Sequence, residues 1–136
     1  MSDAVLALRA AVQARLASDG PLTGLIGAER IFDEAPRAMR GLYVVHGEVE
    51  ARDWSAGDER GCEQEFALVV WAAQSGSGRQ ALEAAGLIVT ALDEAVLALE
   101  GHRLVNLRWL SSRLGREPRA GLPSVTVRFR AATETL

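Results

Sequence analysis

Apolar residues recur along this chain with two different periods, and the switches between them mark out the elements. Across residues 3–17, Val5, Leu8, Val12 and Leu16 fall on one stripe at helical spacing. Asp3 stands where a helix dipole favours an acid, and Ser2 is a candidate cap. Asp19-Gly20-Pro21 ends the helix, and residues 22–26 can add a short further turn before Gly27. Period two follows. Residues 30–33 read as a short strand, then a loop runs around Pro36 and Gly41. Residues 42–50 alternate, with Tyr43, Val45 and Val49 on one face and His46, Glu48 and Glu50 on the other.

A polar stretch over residues 51–63 reads as a long loop. Residues 64–73 form a strand that is apolar on both faces: Phe66, Leu68 and Val70 on one, Val69 and Trp71 on the other. That suits a central strand, or one whose second face a partner covers. Ser77-Gly78-Arg79-Gln80 matches a capping box. The helix it opens carries Leu82, Ala85, Val89, Leu92, Val96 and Leu99 at steps of three and four, with Gly101 as its stop. Residues 103–110 alternate Val105, Leu107 and Trp109 against Leu104, Asn106 and Arg108. A second long loop spans residues 111–123. The final strand, residues 124–131, sets Val125, Val127 and Phe129 against Ser124, Thr126, Arg128 and Arg130.

The predicted order is therefore α-β-β-α-β-β. Strands this close in sequence pair antiparallel as a rule. The expected fold is α+β in two layers: an antiparallel sheet of about four strands, with the long helix and the N-terminal helix packed on one face. The 136 residues fit one domain, 1–136, with enough chain for one real core.

Composition changes this picture little. The chain is 49% hydrophobic and 24% charged, a globular balance. Its apolar stretches are too short or too interrupted to span a bilayer, and no basic cluster opens a secretory signal. A single cysteine, Cys62, excludes an internal disulfide and a multi-cysteine metal site. These features predict a soluble protein of a reducing cytoplasm. A net charge of −3 argues against a general nucleic-acid binder. All 15 basic residues are arginine, which a high-GC coding bias explains and which also suits interfaces, because guanidinium makes paired hydrogen bonds and stacks on rings.

Catalytic chemistry finds no foothold. His46 and His102 lack any partner at metal-ligand spacing, and both read as ordinary surface, interface or turn residues. Ser55, Ser75 and Ser77 lack a nucleophile elbow, and Cys62 has no catalytic signature around it. Gly76-Ser77-Gly78 before a helix lacks the P-loop lysine, and capping accounts for it. Glu29, Asp33 and Glu34, or Asp58 and Glu59, read as solvated loop charges. No catalytic, cofactor-binding or metal-binding residue is assigned.

The surface is more suggestive. Arg128 and Arg130, with Arg108 on the neighbouring strand, put several guanidinium groups on one sheet surface. A solvated face opposite the core accounts for them, and so does contact with another subunit or with a negatively charged lumen or nucleic acid. Long loops without structure are uncommon unless they work. Each carries charge and an apolar anchor: Trp54 in the first, Leu114 or Leu122 in the second, beside Arg113, Arg116 and Arg119. A tryptophan in a charged loop is typical of a partner-binding anchor.

Arg52-Asp53-Trp54-Ser55, the run Gly101-His102-Arg103-Leu104-Val105-Asn106-Leu107-Arg108, and Val125-Thr126-Val127-Arg128-Phe129-Arg130 resemble a family of small phage and prophage proteins. These are the tail completion or tail terminator proteins, with similar ones in gene transfer agents, and the resemblance covers nearly the whole chain. It implies a structural protein without cofactor or reaction. Such proteins form a ring, usually of six copies, on the last ring of the tail tube. The implied partners are copies of itself, the tail tube protein and a head-side stopper or connector, with DNA passing through the lumen without sequence-specific binding. The implied location is the bacterial cytoplasm during assembly, then the tail-neck junction of a phage, prophage or gene transfer agent particle, with no membrane. The candidate interface residues are Trp54, Arg113, Arg116, Arg119, Arg128 and Arg130. The competing readings are another neck protein, such as a connector or stopper, and a small cytoplasmic ligand-binding domain or enzyme. A nucleic-acid regulator is disfavoured by charge and by an aromatic content of 5%.

Overall fold

The computed structural model describes residues 3–116 and 121–136. Helix α1 (Ala4–Ala17) starts at Asp3, whose carboxylate accepts the Val5 N–H; Ser2 lies outside the described residues. Leu8, Val12 and Leu16 are buried along its inner stripe. Asp19 caps the short α2 (Gly20–Ile26) by accepting from the Leu22 N–H, and Pro21 occupies the first turn, where no N–H is needed. Helix α3 (Gly78–Leu92) is capped by Ser77, as its sequence predicts.

Among the described residues, six strands form one mixed sheet: β1 (Ile31–Phe32), β2 (Gly41–Asp53), β3 (Gly61–Ala73), β4 (Ala98–Leu99), β5 (His102–Arg116) and β6 (Pro123–Thr135), in the order β1-β2-β3-β6-β5-β4. The fold is α+β as expected, but the sheet is neither four-stranded nor wholly antiparallel, because β1 pairs with β2 in parallel. The core lies between the helices and one sheet face, where Val44, Phe66, Leu68, Val70, Val125, Val127 and Phe129 meet Leu8, Leu16, Ile88 and Leu92. Phe66 and Phe129 stack with ring centroids 5.5 Å apart.

Three expectations are corrected. First, about half of each expected long loop is strand: β2 and β3 run on to Asp53 and back from Gly61, while β5 runs on to Arg116 and β6 resumes at Pro123. Second, α3 stops at Leu92, so Val96 and Leu99 are not helical. The chain there is held by β5: the Glu94 N–H donates to the Leu107 carbonyl, and the Asp93 carboxylate accepts the Trp109 N–H. Third, the face assignments in two strands slip. His46 faces inward in step with Val44, opposite Leu68, and a bulge between His46 and Val49 brings Val49 to that same face, while Tyr43 and Val45 lie on the other. Irregularities at Leu104/Asn106 and Trp109/Ser111 do the same to β5, placing Leu104 and Leu107 inward. An extra residue flips every side chain beyond it.

Candidate assembly surfaces

The pairing registers place the two hairpin tips at opposite ends of the sheet. At one end, Gly61 of β3 faces Glu134 of β6, beside the β2–β3 tip; at the other, Trp71 faces Ser124, beside the β5–β6 tip. The candidate anchors are thereby separated. Trp54 sits on the first tip, where its N–H donates to the Gly61 carbonyl at 3.0 Å and its side chain remains 40% exposed. It borders a cleft of about 430 Å³ lined by Asp53, Ser55, Ala56, Glu59, Arg60 and Glu134. Arg113 and Arg116 are exposed near the second tip, and Arg116 donates to the Gly121 carbonyl at 2.8 Å. Arg119 lies outside the described residues.

Arg128 and Arg130 do share the helix-free face of the sheet with Arg108, which stands directly across from Arg130. They do not form a bare basic patch. Arg130 is ion-paired to Glu63, Arg128 approaches Glu48 at 3.9 Å, and Arg108 approaches Glu94 at 4.0 Å. Arg52 on β2 reaches Glu63 and Glu65, each at 2.9 Å, and Glu50 at 3.5 Å. Hydrogen bonding from Arg130, reinforced by Arg52, holds the Glu63 carboxyl below the usual carboxylate range. These glutamates alternate with apolar residues along β2 and β3, which is why they land on one face opposite the arginines.

The remaining reactive side chains are taken up by the fold. His46 is buried, and its Nε2 lies 2.9 Å from Gln13 Oε1, while the Gln13 amide donates to the Ile31 carbonyl. Burial, followed by the nearby Arg9 charge, lowers the His46 pKa. His102 Nδ1 bonds the Glu100 carbonyl at 2.9 Å. Burial pushes the Cys62 thiol up, away from thiolate character. Among the described residues no group of three or more His, Cys, Asp or Glu side chains is placed to hold a metal ion. A hollow of about 20 Å³ beneath α1, lined by Leu8, His46, Gln64 and Phe66 among others, has room for little more than a water.

Two features escaped the sequence. One is the continuation of β5, which leaves Trp109, Leu110 and Leu114 exposed along a strand. The alternation Ser112, Leu114 against Ser111, Arg113 was its signal. The other is that β2 and β5 both have open margins. β1 pairs with β2 only at Val44 and Val45, and β4 pairs with β5 only at His102 and Arg103.

Comparison with known proteins gives a consistent result. The family model described as tail completion protein gp17 matches residues 10–134. A chain of the solved structure described as "Virion of native gene transfer agent (GTA) particle" is 32% identical to this one. The match covers 98% of this chain and 99% of that chain, with a TM-score of 0.86. No curated protein matches.

Proposed function

We propose that this chain, which belongs to the tail completion protein gp17 family, closes the tail tube of a phage-like particle as a ring of identical subunits. Family membership makes it a structural tail protein. The ring, usually of six copies in such proteins, stops tube growth and offers its other side to a head-side connector, and the DNA passes through its hole. The whole chain, 1–136, works as one tail-terminator-like domain. It is made in the bacterial cytoplasm and ends at the tail-neck junction, in a particle of the phage, prophage or gene transfer agent kind.

The observation that carries this reading is the match to a chain of a gene transfer agent virion over nearly the full length of both. The geometry is compatible. A cyclic ring needs two different patches on each subunit, and this sheet has two open margins. An axial stack needs contacts above and below, and the hairpin tips point to opposite ends. Trp54 serves one axial contact; Arg113, Arg116 and Arg119 serve the contacts near the other tip. Arg128 and Arg130 lie on the sheet face between, with glutamate partners that offset their charge. That compensation suits a surface past which a duplex must slide, since each uncompensated cation adds a salt-sensitive phosphate contact.

Deleting the gene in the producing strain and viewing particles by negative-stain electron microscopy tests the reading. Overlong tubes, or heads and tails that fail to join, are expected. Joined tails of normal length overturn it.

A further inference from the structure

An edge strand presents unpaired N–H and C=O groups and is a template for another strand unless it is covered. On β5 the margin is closed as far as Trp109, first by β4 and then by Asp93 and Glu94. Residues 110–116 have no strand on that side among the described residues. On β2 the margin is closed through Val45 by β1, and among the described residues no strand covers residues 46–53. The open segments are similar in length, eight residues on β2 and seven on β5.

Their charges are opposite. Residues 47–53 carry Glu48, Glu50 and Asp53 against one arginine, while residues 110–116 carry Arg113 and Arg116 and no acid. Both strands also expose apolar side chains towards the helix side of the sheet: Val49, opposite Phe66, is 40% exposed, and Leu114, opposite Val125, is 48% exposed. Arg113 and Glu50 face the helix-free side, and Glu50 is 72% exposed.

We propose that successive copies of this chain join edge to edge, residues 110–116 of one copy pairing antiparallel with residues 47–53 of the next, so that Leu114 meets Val49 and Arg113 meets Glu50. This rests on the ring reading above and specifies its subunit contact. Rotation about an axis along the strands keeps their directions, and β2 and β5 run oppositely within the sheet, so the joint continues the antiparallel pattern. The register is selective. Moving Leu114 two residues one way brings it to Gly47; moving it the other way sets Arg113 against Arg52. In the chosen register β1 and β4 fall beyond the two ends of the joint and leave it clear.

The slant of the joint is also reasonable. Across the sheet, Arg113 is level with Val69 of β3, while Glu50 is level with Glu65. A four-residue offset is about 13 Å along the strands, and the four strands of one subunit repeat are about 19 Å wide. The strands therefore tilt about 35° from the ring axis, within the range of closed barrels.

The test uses particles from a producing strain whose chain carries Leu114→Cys and Val49→Cys together with Cys62→Ser. Particles are treated with a short bismaleimide and resolved by denaturing electrophoresis. A ladder of covalent multimers is expected, absent from either single-cysteine version. Particles that contain the chain only as monomer after treatment overturn the edge joint while leaving the ring reading standing. Particles that lack the chain altogether overturn both. In the same cysteine background, Arg113→Glu or Glu50→Arg alone is expected to cut the cross-linked fraction severalfold, and the double reversal to restore it. A ladder indifferent to either charge reversal overturns the register.

Discussion

The carbonyl oxygen of Trp54 lies 2.6 Å from the position a Cβ on Gly61 would occupy, and the Trp54 ring would meet the same atom at 3.0 Å. The exposed tryptophan is thus seated on a glycine that cannot be enlarged without moving the β2–β3 tip. Gly61→Ala is expected to destabilise the protein by about 1–3 kcal/mol, as overpacking at a rigid neighbour does. Gly57→Ala, at the same tip with open space around it and a φ of 59°, should cost only about 1 kcal/mol for its left-handed backbone. Denaturant unfolding of the two variants checks the difference; equal costs would mean that the tip yields freely and does not fix Trp54.

His46 should give the fold a pH dependence of known sign. Its folded pKa lies below the ordinary 6.5, because burial and Arg9 disfavour the cation more than Asp33 favours it. Between that depressed value and 6.5 the unfolded chain binds the extra proton, so stability rises with pH across this window. The contribution is complete above about 6.5, shrinks as pH falls, and levels off below the folded pKa. His46→Gln keeps a polar partner for Gln13 and should flatten the slope in denaturation midpoints measured from pH 5 to 7. An unchanged slope would assign the proton to another group.

Glu63 offers an independent window. Arg130 and Arg52 lower its folded pKa beneath 4.5, so its contribution is present above about 4.5 and is lost as pH falls through the folded value. Arg130→Ala removes the larger cause and leaves Arg52 at 2.9 Å. The Glu63 carboxyl resonance should then titrate at a higher pH, closer to ordinary. The melting temperature at neutral pH should change little, because Arg130 is itself about half exposed and Arg52 still pairs with Glu63. An unmoved Glu63 titration would show that Arg130 does not hold it in solution.

Along this chain the sequence by itself determined the elements that stand on local chemistry. Ser77 caps its helix as the capping-box pattern predicts, because a short polar side chain can reach the free N–H groups of its own first turn. Asp3, where the sequence offers Ser2 as the candidate, and Asp19, which it marks only as a helix end, cap theirs by the same chemistry. Val125, Val127 and Phe129 point inward because alternation in an unbroken strand admits one arrangement. The strings around Trp54, Arg108 and Arg130 carried the family as well, since they lie within the matched residues 10–134.

Tertiary structure alone decided where pairing partners reach. Val96 and Leu99 fit a helical stripe, yet Asp93 and Glu94 bond to β5 and end the helix at Leu92, because contacts far apart in sequence outweigh weak propensity. His46 faces the core in step with Val44, and Val49 joins that face only because a bulge lies between them; a bulge changes parity without changing the pattern of residue types. The strand character of residues 111–116 comes from β6 alongside them, as the long-range register from Ser111 to Arg116 shows. The open margins, with Arg113 on one and Glu50 on the other, follow from strand order, which is a property of the assembled sheet and of no single segment.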